Sequence, residues 1–182
     1  MATGSRLQHE LKQNKPFVSQ GHEAAVALMR TADQIRRLVG SVVDVEGITP
    51  QQYNVLRILR GAGHAGLPTL EIAERMIEET PGITRLIDRL EQKKLVVRER
   101  CLSDRRQVFC LITTDGIAML ERLDAPVQSR DDNVFNKLSS EQLDQLIGLL
   151  DRVRDGIEHP ESVLTPIRST SRSSSKKKEN AS

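Results

Sequence analysis

The segment from residue 69 to residue 112 admits few folds, because its hydrophobic period changes from helical to strand-like within one short stretch. Thr69, Leu70, Ile72, Ala73, Met76 and Ile77 have the spacing of a short helix. Glu78-Glu79-Thr80-Pro81 follows, where Thr80 can cap a new helix and Pro81 suits its first position. Ile83, Leu86, Ile87 and Leu90 then line one face of that helix. Gly82, Thr84, Arg85, Asp88, Arg89 and Gln92 fall on the other. Two short helices joined by a tight polar turn, the second with an arginine-bearing outer face, form a helix-turn-helix. Leu95–Cys101 and Gln107–Ile112 are apolar and β-branched at strand length, with polar Leu102-Ser103-Asp104-Arg105-Arg106 between them. A β-hairpin placed directly after a helix-turn-helix is a wing.

The flanking sequence is helical. From Ser19 to Val43, Ala24, Ala25, Leu28, Ala32, Ile35, Leu38, Val39 and Val42 recur three and four apart, and Gly47 ends the pattern. Thr49, Pro50 and Gln52 make a capping box for the next helix. Residues 61–66 read Gly-Ala-Gly-His-Ala-Gly and match a dinucleotide-binding pattern in letters only, since a helix precedes them and Leu67-Pro68 follows. They are read as a helix end and loop. Thr113-Thr114-Asp115 caps a helix that Pro126 is expected to kink or interrupt. Ser139 and Gln142 form a second capping box, followed by Leu143, Leu146, Ile147, Leu149, Leu150 and Val153. The fold class is therefore mainly α with a small β-hairpin wing. Residues 1–18 lack periodicity and are read as flexible, and the Ser-, Arg- and Lys-rich stretch within 161–182 as a disordered basic tail.

Charge is distributed unevenly. Residues 80–110 carry eight basic and four acidic side chains, whereas residues 111–164 carry five basic and eleven acidic ones. A basic stretch inside a neutral or acidic chain suits an anionic partner. Four aromatics, Phe17, Tyr53, Phe109 and Phe135, are too few for a base-stacking surface. The stretch before Pro16 has no secretory apolar core, and no apolar run is long enough to span a membrane. Two cysteines, Cys101 and Cys110, do not make a disulfide scaffold, so a cytoplasmic location is expected. His9, His22, His64 and His159 lie far apart, and no hydrolase elbow or phosphate loop occurs. Neither catalysis, a cofactor nor a metal is expected.

Thr84-Arg85-Leu86-Ile87-Asp88-Arg89-Leu90-Glu91, then Leu95-Val96-Val97-Arg98, then Asp104-Arg105-Arg106, then Ile112-Thr113-Thr114-Asp115-Gly116, together resemble the MarR family of bacterial transcriptional regulators. Upstream, Ile48 to Leu56 looks like the family's second helix, and the likeness covers about residues 20–158. The resemblance implies a homodimer that binds palindromic double-stranded DNA. Residues 19–47 and 113–160 would dimerise, and 48–112 would form the DNA-binding lobe. Thr80, Pro81, Gly82 and Thr84 are small enough for close approach to DNA, while Arg85 and Arg89 can reach base edges. In the family the wing-tip arginine enters the minor groove, oriented by an aspartate; those positions are Arg106 and Asp104 here, with Arg105 on phosphate. Arg98 is read as bracing the lobe. Family members usually carry Gly where this chain has Lys94, and a left-handed cap costs Lys ~1 kcal/mol relative to Gly, so a local change of turn is expected. The resemblance also implies a small-molecule effector between the helical region and the lobe, of unknown identity, with Tyr53 a candidate lining residue. The competing reading is an architectural or redox-responsive DNA-binding protein. A hairpin centred near residues 105–106 would place Cys101 opposite Cys110, within reach of a disulfide.

Overall fold

A computed structural model describes residues 5–100 and 107–158. Their order is α1 (Arg6–Glu10), α2 (Gln20–Val43), α3 (Pro50–Ala62), β1 (Leu67–Pro68), α4 (Thr69–Glu74), α5 (Ile83–Gln92), β2 (Val96–Arg100), β3 (Val108–Ile112), α6 (Thr114–Phe135) and α7 (Ser140–Glu158). The chain divides into two compact units, with the boundary between Phe135 and Asn136.

Side-chain caps set most helix starts. The Ser19 hydroxyl accepts the His22 N–H at 3.1 Å and opens α2. Thr49 and Gln52 close a complete capping box, with Gln52 N–H to Thr49 Oγ1 at 3.2 Å and Thr49 N–H to Gln52 Oε1 at 3.1 Å. Ser139 and Gln142 repeat that box before α7. Gly47, at φ 67°, turns the chain between α2 and α3.

The core of the first unit lies where α2, α3, α4, α5, β3 and α6 meet. Val43, Val55, Leu56, Leu59, Ile72, Ile87, Leu90, Cys110 and Leu120 are all fully buried there. The sheet is antiparallel in the order β1-β3-β2, so the wing hairpin is anchored to the lobe through the short strand Leu67–Pro68.

Three local expectations are corrected. Residues 6–10 form a short helix capped by Ser5 within a stretch read as flexible. Pro126 lies inside α6 without ending it; a proline removes one hydrogen bond, and Leu123 and Val127, both buried beside it, hold the helix together. The N-terminal half of α6, which the sequence reading places with the dimerisation helices, also contributes Leu120 and Leu123 to the lobe's core. Finally, Arg98 pairs with Cys110 and Arg100 with Val108 in the hairpin. In this register Cys110 faces Arg98 rather than Cys101. Cys110 is fully buried, as a small core residue would be, and the geometric basis for a redox pair is lost. Cys101 itself lies outside the described residues.

Candidate nucleic-acid interface

The segment leading into α5, the second helix of the helix-turn-helix, is held by α3 and α2. Asn54 on α3 accepts the Ile77 N–H at 3.0 Å, fixing the turn that leaves α4. Glu78 accepts from Gln51 Nε2 at 3.3 Å and lies 3.6 Å from Arg36 Nη1. Its carboxylate is thus engaged by α3 and α2. The Thr80 hydroxyl donates to the Glu78 carbonyl at 3.0 Å, so Thr80 does not cap α5. The helix begins at Ile83 instead, with Gly82 in the cap position at φ 93°. Glycine tolerates that angle, and it moves the helix start two residues past the one expected at Pro81. No side chain caps this terminus. The N–H groups of its first turn have no intrahelical acceptor and can bind an anion.

Along α5, the apolar stripe turns inward as the sequence indicates, with Ile87 and Leu90 fully buried and Ile83 and Leu86 packed against them. Thr84, Arg85 and Arg89 are exposed. Arg85 and Arg89 make no ion pair among the described residues. Their neighbouring carboxylates are occupied by another residue. Arg98 of β2 donates from Nη2 to Asp88 Oδ1 and from Nη1 to Glu91 Oε2, each at 2.6 Å, and its Nη2 lies 3.4 Å from the Thr84 carbonyl. Burial works against the Arg98 charge, but the Asp88 hydrogen bond and the two carboxylate charges outweigh it and raise its pKa. The bracing role read for Arg98 is therefore specific: it ties β2 to α5.

The C-terminal end of α5 is fixed just as closely. Lys94 N–H bonds the Glu91 carbonyl at 2.8 Å and Leu95 N–H the Leu90 carbonyl at 3.0 Å, a Schellman closure. Lys94 sits at φ 60°, in the left-handed region that glycine favours. The turn expected to change around Lys94 is therefore kept. Thr113 holds it: its hydroxyl donates to the Lys94 carbonyl at 2.7 Å, and its N–H bonds the Leu95 carbonyl at 3.1 Å. Lys93 Nζ reaches the Gly47 carbonyl at 2.5 Å, joining the end of α5 to the α2–α3 turn.

A cavity of about 540 Å³ lies behind this assembly, among α2, α3, α6 and the segment after α4. Ile35, Arg36, Val39, Tyr53, Asn54, Arg57, Met76, Ile77 and Val127 line it, together with Glu78 and Asp131. Tyr53 is buried, which raises its phenol pKa despite the opposing charge of Arg57. The Arg57 guanidinium carbon lies 5.9 Å from the Tyr53 ring centroid.

Of the residues picked from sequence, Thr80, Pro81, Gly82, Thr84, Arg85 and Arg89 come together around the start and outer face of α5. Asp104, Arg105 and Arg106 lie outside the described residues. Sequence reasoning missed the double hold of Arg98 on Asp88 and Glu91, and the inward engagement of Glu78. The first had a signal: Asp88 and Glu91 stand three apart on one helix face, ahead of a strand carrying Arg98 and Arg100.

The MarR family model matches residues 48–108 of this chain. A protein of Thauera aromatica assigned as a transcriptional regulator for the hcr operon is 31% identical over 129 residues, 70% of this chain and 76% of that protein. The structure of a MarR transcription factor from Planctomyces limnophilus is 37% identical with a TM-score of 0.56, covering 74% of this chain and 98% of that one. A cysteine-to-serine variant of E. coli MarR, solved with operator DNA, is 25% identical with a TM-score of 0.66, covering 82% of this chain and 99% of that one. With its helix-turn-helix and hairpin wing in the same order, this chain belongs to the MarR family of DNA-binding transcription regulators and is not an enzyme.

Proposed function

We propose that the protein is a cytoplasmic homodimeric repressor that binds a palindromic operator and is released by a small molecule. The observation that carries the DNA-reading part is the exposed Arg85 and Arg89 on α5, beside an uncapped helix terminus, with the nearby carboxylates already engaged by Arg98. Arg85 and Arg89 would read base edges in the major groove, and Thr80 to Thr84 would let the backbone approach phosphate. Arg106, oriented by Asp104, would enter the minor groove, with Arg105 on phosphate.

Dimerisation is supported by apolar surface that each unit leaves uncovered. In α2 the buried residues are Val42 and Val43 alone, although the helix carries a full apolar stripe. Helix α7 has no buried residue, and Ile147, Val153 and Ile157 are exposed on it. Two lobes related by a two-fold axis would double the DNA contacts of one. The cavity beside Tyr53 supports the effector reading, since it is largely apolar and touches the segment that leads into α5.

The test is operator selection from random duplex DNA, followed by a screen for compounds that dissociate the complex. A regulator prefers its selected operator strongly over random duplex, whereas an architectural protein binds both alike. Sedimentation of a folded monomer at micromolar concentration would overturn the dimer.

A further inference from the structure

The recognition helix has a charge problem that its own residues do not solve. Helix α5 bears Arg85 and Arg89 but also Asp88 and Glu91, so its charges cancel. Side chains that sum to zero charge add no net attraction to phosphate beyond that of the helix terminus, and the carboxylates repel the duplex. On an isolated helix, Arg85 would also pair with Asp88 at i, i+3.

Arg98 changes this balance. It projects from β2, stands opposite the buried Cys110 in the ladder, and is itself only 23% exposed at the side chain. One guanidinium nitrogen meets Asp88 and the other meets Glu91, each at 2.6 Å. We infer that Arg98 is a positioning residue that sets the charge of the recognition surface: by occupying Asp88 and Glu91 it leaves Arg85 and Arg89 free for DNA. The same grip fixes the wing strand against α5. This inference rests on reading the outer face of α5 as the DNA-contacting face.

The mask and the brace make different predictions. If the role were only mechanical, removing the carboxylates as well could not repair an Arg98 variant. If the role is electrostatic, it can. We therefore compare the full-length chain, Arg98→Gln, and Arg98→Gln combined with Asp88→Asn and Glu91→Gln, by titration of a selected operator at low and high salt. Arg98→Gln is expected to bind about five- to tenfold more weakly at low salt, because two carboxylates come to face phosphates within a Debye length. The deficit should shrink as salt screens that repulsion, and the triple variant should recover most of the affinity. A triple variant as weak as Arg98→Gln, or an Arg98→Gln that binds like wild type, overturns the inference.

Glu91→Gln alone keeps the test decisive should Arg98→Gln fail to fold. Asp88 still holds Arg98 in it, so a mask predicts binding at least as tight as wild type with a steeper salt dependence, and a brace predicts weaker binding. Arg85→Ala and Arg89→Ala are run beside these. If both leave operator binding intact, the assignment of the α5 face has failed. If they weaken binding while the Arg98 series does not behave as described, the role of Arg98 has failed.

Discussion

Lys94→Gly should make this protein more stable, and the size of the gain follows from the turn between α5 and β2. Lys94 is held at φ 60° by its own N–H on Glu91, by the Leu95 N–H on Leu90, and by the Thr113 hydroxyl on its carbonyl. With so many bonds fixing it, the backbone cannot relax to an easier conformation, and the Cβ must stay where it crowds the following carbonyl. The left-handed conformation costs an L-residue roughly 1–2 kcal/mol, and glycine removes that cost. Glycine in turn loses more chain entropy on folding, roughly 0.5–1 kcal/mol. The difference is a net stabilisation of about 0.5–1 kcal/mol, or a Tm rise of about 1–4 °C for a chain of this size. Calorimetry of wild type, Lys94→Gly and Lys94→Ala at one protein concentration measures it. Alanine keeps the Cβ and should gain nothing. If Lys94→Gly melts at or below wild type, or if alanine gains as much as glycine, the strain argument is wrong.

Three further outcomes are expected. Gly116→Ala places a methyl 2.5 Å from the Leu95 carbonyl and 2.7 Å from Ile112 Cγ1, behind the same turn; denaturant unfolding should show a loss of about 1–3 kcal/mol. The Arg60 hydrogen bonds to Asp124, at 2.7 and 3.1 Å, hold the Asp124 carboxyl below its usual range against the opposing effect of burial. A depressed carboxylate pKa stabilises the folded state above the unfolded value and loses that contribution as pH falls, so the Tm gap between wild type and Asp124→Asn should be level near neutrality and narrow below about pH 4. Truncation at residue 162 removes Arg168, Arg172, Lys176, Lys177 and Lys178; the salt slope of DNA binding should fall by about 0.9 for each phosphate no longer neutralised, with the preferred sequence unchanged.

What could be read from sequence was what local chemistry decides. The Thr49 and Ser139 capping boxes depend on residues three apart, and both form as read. The α5 stripe followed because Ile83, Leu86, Ile87 and Leu90 need one buried face. The reading ran out where a distant partner decides. Leu67–Pro68 is a strand only because β3 lies beside it. Thr80 had the composition of a cap, but Gly82 offered a later start and Glu78 took the Thr80 hydroxyl. The hairpin register differs by three residues from the one read, because the centre of a hairpin cannot be judged from its letters, and that shift alone created the facing cysteines. Lys94 went the other way: a propensity argued against the turn, and Thr113, far along the chain, overrode it.

The central claim is that the outer face of α5 and the tip of the wing read DNA together. Competition titration of the selected operator against random duplex, for wild type, Arg85→Ala and Arg106→Ala, tests it most directly. An arginine forked onto guanine is worth about 1–3 kcal/mol of discrimination, so Arg85→Ala should flatten the preference for operator. Arg106→Ala should weaken operator binding at least about tenfold, with little change in Tm, because it removes the guanidinium proposed for the minor groove. Wild-type affinity and wild-type preference in both variants would contradict the account.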